Sequence, residues 1–284
     1  MSEVALVHGA PPLDAMALRR NVFVDEQGVD PAVEADALDA AATHAVLRRD
    51  GVALATGRLL DPGGTPALGR VGRMAVARAA RGQGLGALVL GTLEDAAAQA
   101  GLVGVELHAQ AHAAGFYAHL GYAAQGPSYL EAGIEHLTMT RELLPGLRPV
   151  RDDDSAGIIT LIGGCWAEHP GCVLDIDGEE PWMRAPASRQ PGRLWVVERE
   201  GTVQASVGVK GAELVKLYVS AGARRLRLGE RLVRLAERAG ARELWTDTRF
   251  TDAHRLYHRL GWRDTGRTRE LHDLSETTEL ELVR

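Results

Sequence analysis

The hydrophobic and polar positions follow the same order twice along the chain. In the first half, short apolar or alternating runs predict strands at 4–7, 44–48, 53–60, 71–76, 103–108 and 136–140, and apolar residues at helical spacing predict helices at 13–23, 85–100 and 113–120. The second half predicts strands at 194–199, 203–209, 214–219, 243–246 and 279–283, with helices at 156–168, 228–239 and 252–260. Because the strands cluster before and after one central helix, each half predicts an α/β (α+β) fold rather than a regular strand–helix array.

An internal repeat underlies this order. The segment VGRMAVARAARGQGLG (71–86) resembles LVKLYVSAGARRLRLG (214–229), and FYAHLGY (116–122) matches LYHRLGW (256–262). Two copies at half the chain length favour a tandem pair of domains, since a solenoid needs at least three repeats. The proline- and glycine-containing segment LLPGLRP (143–149) predicts the boundary, which gives domains at 1–143 and 148–284.

Composition and charge exclude several classes of protein. A hydrophobic fraction of 45% excludes bulk disorder, and no apolar run approaches the roughly 20 residues that a membrane span needs. The beginning of the chain lacks the pattern of a secretory leader, and two cysteines cannot form a disulfide framework, so we expect a cytoplasmic protein that has no membrane partner. The net charge of −6 argues against nucleic acid as a partner.

A glycine-rich segment points to chemistry. After a predicted strand, Arg81-Gly82-Gln83-Gly84-Leu85-Gly86 leads into an amphipathic helix. Glycines let backbone N–H groups converge on an anion at a helix N-terminus, and Arg81 adds a charged donor. The segment lacks the Lys-Ser/Thr of a P-loop and the spacing of a dinucleotide-binding fingerprint. Two readings remain: Arg-x-x-Gly-x-Gly as the pyrophosphate loop of an acyltransferase, or a helix cap without a ligand.

The chain resembles the GNAT superfamily of N-acetyltransferases in both halves. The first half is similar to the ElaA-like branch through RRNVFVDEQGV (19–29), GRVGRMAV (69–76), ELHAQAHAAGFYAHLGY (106–122) and YLEAGIEHLTM (129–139). The resemblance implies a mixed, mostly antiparallel sheet flanked by helices in each domain. It also implies acetyl transfer from acetyl-CoA to a primary amine of a small molecule or peptide, with the N-terminal domain as the catalytic unit.

The resemblance also implies roles for residues of the first copy. Met74, Ala75 and Val76 would contact pantetheine through the backbone of a strand that parts from its neighbour. Residues 81–86 would hold pyrophosphate through Arg81, Gly82, Gln83, Gly84, Leu85 and Gly86. Tyr117 matches the position of a tyrosine that protonates, or hydrogen-bonds to, the departing CoA thiolate.

The base and the acceptor site are less specified. Glu26 is the candidate general base, and Glu34, His44, Glu131 and His136 are candidate substrate-binding residues. Six acidic residues lie between 25 and 39, and they form either an attracting patch for a cationic amine or a solvated face.

The second copy departs from the family pattern. Arg224 and Gly229 stand at the expected positions, but Arg225 and Arg227 replace the first two glycines of the loop. An arginine at 227 would be tolerable if its backbone stayed right-handed, so acetyl-CoA binding by this copy is left open. If it binds, Leu217 and Val219 supply the pantetheine contacts, and Tyr257 corresponds to Tyr117.

Two further alternatives stay open. An acyl-CoA-binding or scaffolding protein without turnover is the competing function. Two fused copies could replace a homodimer, so the chain is either a monomer or a homodimer. His254 and His258 lie four residues apart without a third ligand, so no metal site is predicted.

Overall fold

Two compact units make up the chain. The computed structural model describes residues 2–131, 133–190, 192–224 and 226–284. The division falls between Leu143 and Leu144, and the segments before and after it are called unit 1 and unit 2. Each unit contains a mixed seven-stranded sheet flanked by helices, so the predicted fold class is confirmed.

In unit 1 the sheet has the order β1-β2-β3-β4-β5-β7-β6. Its strands are β1 (Ser2–His8), β2 (Thr43–Arg49), β3 (Val52–Leu60), β4 (Leu68–Val76), β5 (Gly104–Gln110), β6 (Ala123–Glu131) and β7 (Ile134–Glu142). Its α-helices are α1 (Leu13–Arg19), which continues as a π-helix (Arg20–Glu26), α2 (Pro31–Glu34), α3 (Leu85–Gln99) and α4 (Ala114–His119). The central pair β4–β5 is parallel, and the other neighbouring strands are antiparallel.

Unit 2 repeats this order as β13-β14-β12-β11-β10-β9-β8, read from the opposite edge. Its strands are β8 (Leu147–Pro149), β9 (Arg193–Arg199), β10 (Thr202–Lys210), β11 (Glu213–Val219), β12 (Glu243–Asp247), β13 (Arg263–Glu270) and β14 (Thr278–Val283). Its α-helices are α5 (Ser155–Trp166), α6 (Pro186–Arg189), α7 (Leu228–Arg238) and α8 (Thr251–Arg259). The central pair β11–β12 is again parallel.

Helices cover both faces of the unit 1 sheet and fix its central strands. On one face, α3 buries Val89 and Leu93 in the main core. On the other face, Leu18 of α1 packs with Val46 and Ala75 of the sheet. Burying each such side chain contributes about 1.5–3 kcal/mol, so β3 and β4 are held from both sides.

Unit 2 has an equivalent core. Ile158 and Ile162 of α5 pack against Leu194 and Val196 of β9, and Leu232 of α7 is fully buried. Among the helices of the described residues, none has the length and apolarity that crossing a bilayer requires.

Candidate active site

The two central strands of unit 1 part from each other. Ladder pairing between β4 and β5 ends at Val71 and Leu107, although β4 continues to Val76 and β5 to Gln110. Arg73 has a φ of 52°, and the β3–β4 register shifts opposite it. A left-handed residue in a strand marks a β-bulge, which bends the strand. A wedge-shaped gap therefore opens between the strands within the described residues.

Backbone groups of β4 face this gap. The Ala77 N–H donates to the Leu54 carbonyl at 2.9 Å, which fixes the alternation of the antiparallel β3–β4 ladder. By that alternation Ala75 pairs with β3, whereas the N–H and C=O of Met74 and Val76 point to the other side. The structure therefore places the predicted pantetheine residues at the edge of the gap, with Ala75 between them facing β3 through its backbone.

The glycine loop sits at the N-terminus of α3. Gly82 and Gly84 have φ of 78° and 75°, and a Cβ at either position would meet no atom within 4 Å. Their backbone conformation, rather than neighbouring atoms, therefore requires glycine. Gly84 is the N-cap and provides no side-chain acceptor, so the first N–H groups of α3 are available to an anion.

Arg81 and Glu26 form an ion pair beside this loop. Arg81 Nη2 donates to Glu26 Oε2 at 2.6 Å, and Arg81 Nε donates to the Val76 carbonyl at 3.2 Å. Gln83 accepts a hydrogen bond from Arg49 Nη1 at 3.2 Å. The candidate base thus lies against the guanidinium of the loop, and its catalytic role stays a prediction.

Tyr117 is buried on α4. Its ring lies edge-on to Phe116 and Tyr122, with centroids 5.0 and 5.8 Å away. Burial raises the pKa of Tyr117 to about 12, and the described residues supply no hydrogen-bond partner for its hydroxyl. Phe116 also approaches Gly86, where an added Cβ would lie 3.4 Å from the Phe116 ring. Tyr117 is therefore a protonated donor on the helix whose Phe116 contacts the loop.

Glu34 and His44 belong to a buried arginine cluster. Its members are Arg19, Glu34, Asp36, Asp39, Arg58 and Arg73. Arg19 contacts Glu34 at 2.5 Å and Asp39 at 2.9 Å, and His44 Nε2 lies 3.0 Å from the Asp39 carbonyl oxygen. Glu34 and His44 are 4% and 1% exposed. Three arginines thus offset three of the six acidic charges between residues 25 and 39.

Acid should destabilise unit 1 through this cluster. Burial raises the pKa of Asp39, but hydrogen bonds from Arg19 and Arg58 outweigh it and hold that pKa below its ordinary value. The ionised carboxylate therefore stabilises the fold above about pH 4, and this contribution is lost as the pH falls through the folded pKa. We expect Asp39→Asn to lower the stability of unit 1 by about 1–3 kcal/mol at pH 7 and by much less at pH 3.

Urea unfolding followed by two probes tests this expectation. All five tryptophans lie in unit 2, so their emission reports unit 2, whereas far-ultraviolet circular dichroism reports both units. Asp25→Asn, at an exposed carboxyl, is the matched control and should shift neither transition. An equal loss for Asp39→Asn at both pH values would contradict the argument.

Glu131 and His136 lie at a different place from Glu34 and His44. Glu131 ends β6, and its Oε2 is 3.5 Å from Nδ1 of His108 on β5. His136 on β7 stacks on Tyr129, whose ring is edge-on to His108. The sequence analysis missed His108, although the alternation of buried Val105, Leu107 and Ala109 places its side chain on the opposite face of β5.

Unit 2 repeats the gap. Pairing of β11 with β12 ends at Leu214 and Leu244, and Lys216 has a φ of 54° at the position equivalent to Arg73. The Ser220 N–H donates to the Gln204 carbonyl at 2.9 Å, so the backbones of Leu217 and Val219 face the gap by alternation.

The loop of unit 2 keeps the ion pair but not the first two glycines. Arg224 contacts Glu168 at 2.5 Å and donates to the Val219 carbonyl at 3.2 Å, as Arg81 does with Glu26 and Val76. Arg227 has a φ of 56°, so the right-handed backbone that would make an arginine tolerable at this position is not present. Its guanidinium contacts Glu230 at 3.0 Å, and Arg225 lies outside the described residues.

A cavity of about 600 Å³ adjoins this loop. It is lined by the four predicted residues Leu217, Val219, Arg224 and Gly229, together with Arg259, Phe250, Leu256 and others. Tyr257 is buried next to Leu256, and burial raises its pKa.

Among the described residues, no three His, Cys, Asp or Glu side chains are grouped so that they could hold a metal ion.

Comparison with known proteins identifies the family. Residues 15–143 and 190–264 each match a model of the acetyltransferase (GNAT) domain. The chain is 35% identical to the uncharacterized N-acetyltransferase YjcF of Bacillus subtilis over 130 residues, which cover 45% of this chain and 91% of YjcF. Among solved structures, it is similar to an acyl-CoA N-acyltransferase of Pseudomonas aeruginosa (36% identity, 50% of this chain, 99% of that one, TM-score 0.45). It is also similar to Escherichia coli ElaA (29% identity, 50% and 100%, TM-score 0.45). The chain therefore belongs to the GNAT acetyltransferase family and contains two GNAT domains in tandem.

Proposed function

We propose that the protein transfers an acetyl group from acetyl-CoA to a primary amine of a small molecule or peptide, with unit 1 as the catalytic unit. The observation that carries this proposal is the gap beyond Val71 and Leu107, which opens beside a left-handed glycine loop. We place the boundaries of the two functional domains at 1–143 and 148–284. The unpaired Cys165 and Cys172 support a reducing, cytoplasmic setting.

The residues of unit 1 fit an acyl-CoA. The amides of Leu85 and Gly86 at the start of α3, together with Arg81, would hold the pyrophosphate, and the backbones of Met74 and Val76 would pair with the pantetheine arm. A Cβ at Gly84 would project into open space, with no atom within 4 Å. When bound, acyl-CoA supplies an activated acyl thioester.

Tyr117 would act on the departing thiolate. A free thiol has a pKa of about 8.5, well below the pKa of about 12 of Tyr117, so complete transfer of the phenolic proton is unfavourable. A protonated hydroxyl in a low-dielectric site still stabilises developing negative charge through a hydrogen bond. We therefore propose that Tyr117 donates a hydrogen bond to the sulfur.

The acceptor must lose a proton before it can react. A lysine-like amine has a pKa of about 10.4, so deprotonation at pH 7 costs about 4.6 kcal/mol. Glu26 is less suited to accept this proton than the sequence suggests, because its carboxylate is occupied by Arg81 at 2.6 Å. We propose that Glu26 positions Arg81 for the phosphates, and that the acceptor lies toward Glu131 and His136.

Unit 2 has the features of a second acyl-CoA site. The cavity of about 600 Å³ has an apolar wall that includes Leu217 and Val219. Its charged lining consists of three arginines and three acidic residues, namely Arg224, Arg227, Arg259, Glu168, Glu230 and Asp252. The left-handed Arg227 places a side chain where unit 1 has none. We propose that this cavity takes the pantetheine arm and that unit 2 binds acyl-CoA more weakly than unit 1.

Thiol release from acetyl-CoA tests the function. The full chain is incubated with acetyl-CoA and, separately, with lysine methyl ester, spermidine, tyramine and a peptide with a free N-terminus. We expect CoA release and a product 42 Da heavier than the accepted amine, this gain being the mass of an acetyl group that replaces a proton. CoA binding without release for any amine would instead support the acyl-CoA-binding or scaffolding alternative.

A further inference from the structure

His108 stands at the point where the two central strands separate. Leu107 is the last residue of β5 in the ladder with β4, so His108 is the first residue beyond it. Its side chain lies on the face opposite the core of α3, and it is 29% exposed. The imidazole is therefore next to the vertex of the gap and open to an incoming molecule.

Charged groups surround the ring of His108. From β6, Glu131 Oε2 lies 3.5 Å from Nδ1, and Tyr129 packs edge-on with a centroid distance of 5.7 Å. From its own strand, Glu106 Oε1 lies 3.8 Å from Nε2. Arg70 of β4 lies 3.4 Å from Nε2, and the residue opposite His108 on β7 is the neutral Thr138. His136, on the same strand, stacks on Tyr129.

These contacts favour one tautomer. A guanidinium can only donate, so Nε2 beside Arg70 acts as the acceptor, and the ring proton then lies on Nδ1 toward Glu131. Glu106 and Glu131 stabilise the imidazolium that forms when Nε2 takes a proton, while Arg70 opposes it. Arg70 is 54% exposed, so an acceptor molecule can displace it from Nε2.

We propose that His108 is the catalytic base of unit 1, an inference that rests on the proposed acetyl transfer. The acceptor enters as an ammonium ion and gives one proton to His108 Nε2. The amine nitrogen then forms a bond to the thioester carbon, and the carbon–sulfur bond breaks. Of the two protons left on nitrogen, one stays on the amide and the other ends on the CoA sulfur. His108 afterwards releases its proton to water.

The same position in unit 2 supports this assignment. Trp245 is the first residue of β12 beyond the last ladder pair, Leu214 with Leu244. Its ring lies 4.4 Å from the guanidinium of Arg269 and 5.6 Å from that of Arg267. An indole donates a hydrogen bond but accepts no proton, so unit 2 lacks a base at this point. The two units therefore have the same backbone arrangement at this position, but only unit 1 has a side chain that can accept a proton there.

The test compares His108→Gln with His8→Gln in the full chain. His8 is exposed on β1, at the edge of the sheet and three strands away from β4, so its variant controls for the loss of an imidazole. With the best acceptor of the amine panel, we expect His108→Gln to lower kcat about 100-fold or more, with the Kd for CoA unchanged within twofold. Its rate should keep rising with pH, because hydroxide takes over the role of the base, whereas the wild type reaches a plateau.

A second measurement does not depend on turnover. The imidazole NMR resonance that is missing in His108→Gln should shift in the wild type when the acceptor amine is added together with CoA. Glu131→Gln keeps the imidazole and removes one carboxylate, so it should lower kcat only about three- to tenfold, with the Kd for CoA unchanged.

The outcomes separate this proposal from the proposed function. Release of CoA by His108→Gln at the wild-type rate and with the wild-type pH profile would overturn the role of His108 alone. A raised KM with an unchanged kcat would also overturn it, because it would show a binding role. No release by the wild type with any amine would remove the proposed function, and this proposal with it.

Discussion

Replacing Tyr117 by phenylalanine is expected to lower kcat for CoA release by about 10²- to 10³-fold while the Kd for CoA stays within twofold. The substitution removes only the phenolic hydroxyl group. It has no hydrogen-bond partner among the described residues, and its ring is already held by Phe116 and Tyr122. The fold therefore loses little, whereas the thiolate loses its donor. Steady-state kinetics and calorimetry with CoA measure the two quantities.

Tyr122→Phe is the matched control. It removes the hydroxyl of a neighbouring buried tyrosine, which donates to Glu94 of α3 at 2.8 Å. We expect a stability loss of about 1 kcal/mol and little change in kcat. An equal loss of kcat in both variants would show that ring packing, rather than a hydroxyl at the sulfur, is what Tyr117 provides. A large loss in Tyr257→Phe instead would move catalysis to unit 2.

Apolar periodicity located the central strands and the long helices, but not three strands at the edges of the sheets. The pattern predicts no strand at β6, β8 or β13, and β8 has only three residues. All residues of β13 are exposed, and eight of the nine residues of β6 are exposed, so neither strand has the alternation that one buried face produces. Gly126 and Pro127 in β6, and Gly266 in β13, further favour turns. The strands β6 and β13 are fixed by pairing with β7 and β14, which a local pattern does not show.

The glycine loop could be predicted from a short stretch of sequence, whereas the side chains that pair with its residues could not. The positive φ of Gly82 and Gly84 depends on a few neighbouring residues, so a short motif encodes it. The pair of Arg81 with Glu26 joins residues 55 positions apart. The buried arginine cluster likewise joins Arg19 to Asp39 and Arg58 to Asp36. A run of acidic residues has the same sequence whether its carboxylates face solvent or form ion pairs with arginine. Only the tertiary structure distinguishes these two arrangements.

Because the two units share a fold, equivalent residues of their gaps can be compared directly. Arg73 and Lys216 share the left-handed bulge, and Arg81 and Arg224 share the ion pair to a preceding glutamate, so the frame of the gap is the same. Two differences bear on the chemistry: Arg225 and Arg227 replace the first two loop glycines, and Trp245 replaces His108 at the vertex. We infer that unit 2 has kept the shape of an acyl-CoA site while losing part of its chemistry.

Replacing a loop glycine in unit 1 and introducing one in unit 2 should shift the acyl-CoA affinities of the two units in opposite directions. Gly84→Val puts a β-branched side chain at a φ of 75° on the N-cap residue of α3. The left-handed conformation costs about 1–2 kcal/mol for an L-residue. Losing one charge-assisted hydrogen bond to phosphate costs about 1.5 kcal/mol more. We expect the Kd of unit 1 for CoA to rise about 60- to 300-fold, since 1.4 kcal/mol is tenfold.

The reciprocal change, Arg227→Gly, should strengthen CoA binding by unit 2 about tenfold, because glycine adopts the φ of 56° without strain and clears the loop. Tryptophan emission reports unit 2 alone, while calorimetry counts both sites, so the two affinities can be assigned. Gly91→Val is the control for unit 1: it lies inside α3, where an added Cβ meets no atom within 4 Å, and it should leave the Kd unchanged. Equal effects of Gly84→Val and Gly91→Val on the Kd would show that the loop amides of unit 1 do not hold the phosphates. Weaker CoA binding by the Arg227→Gly variant would show that the Arg227 guanidinium has replaced the lost glycine as a phosphate ligand in unit 2.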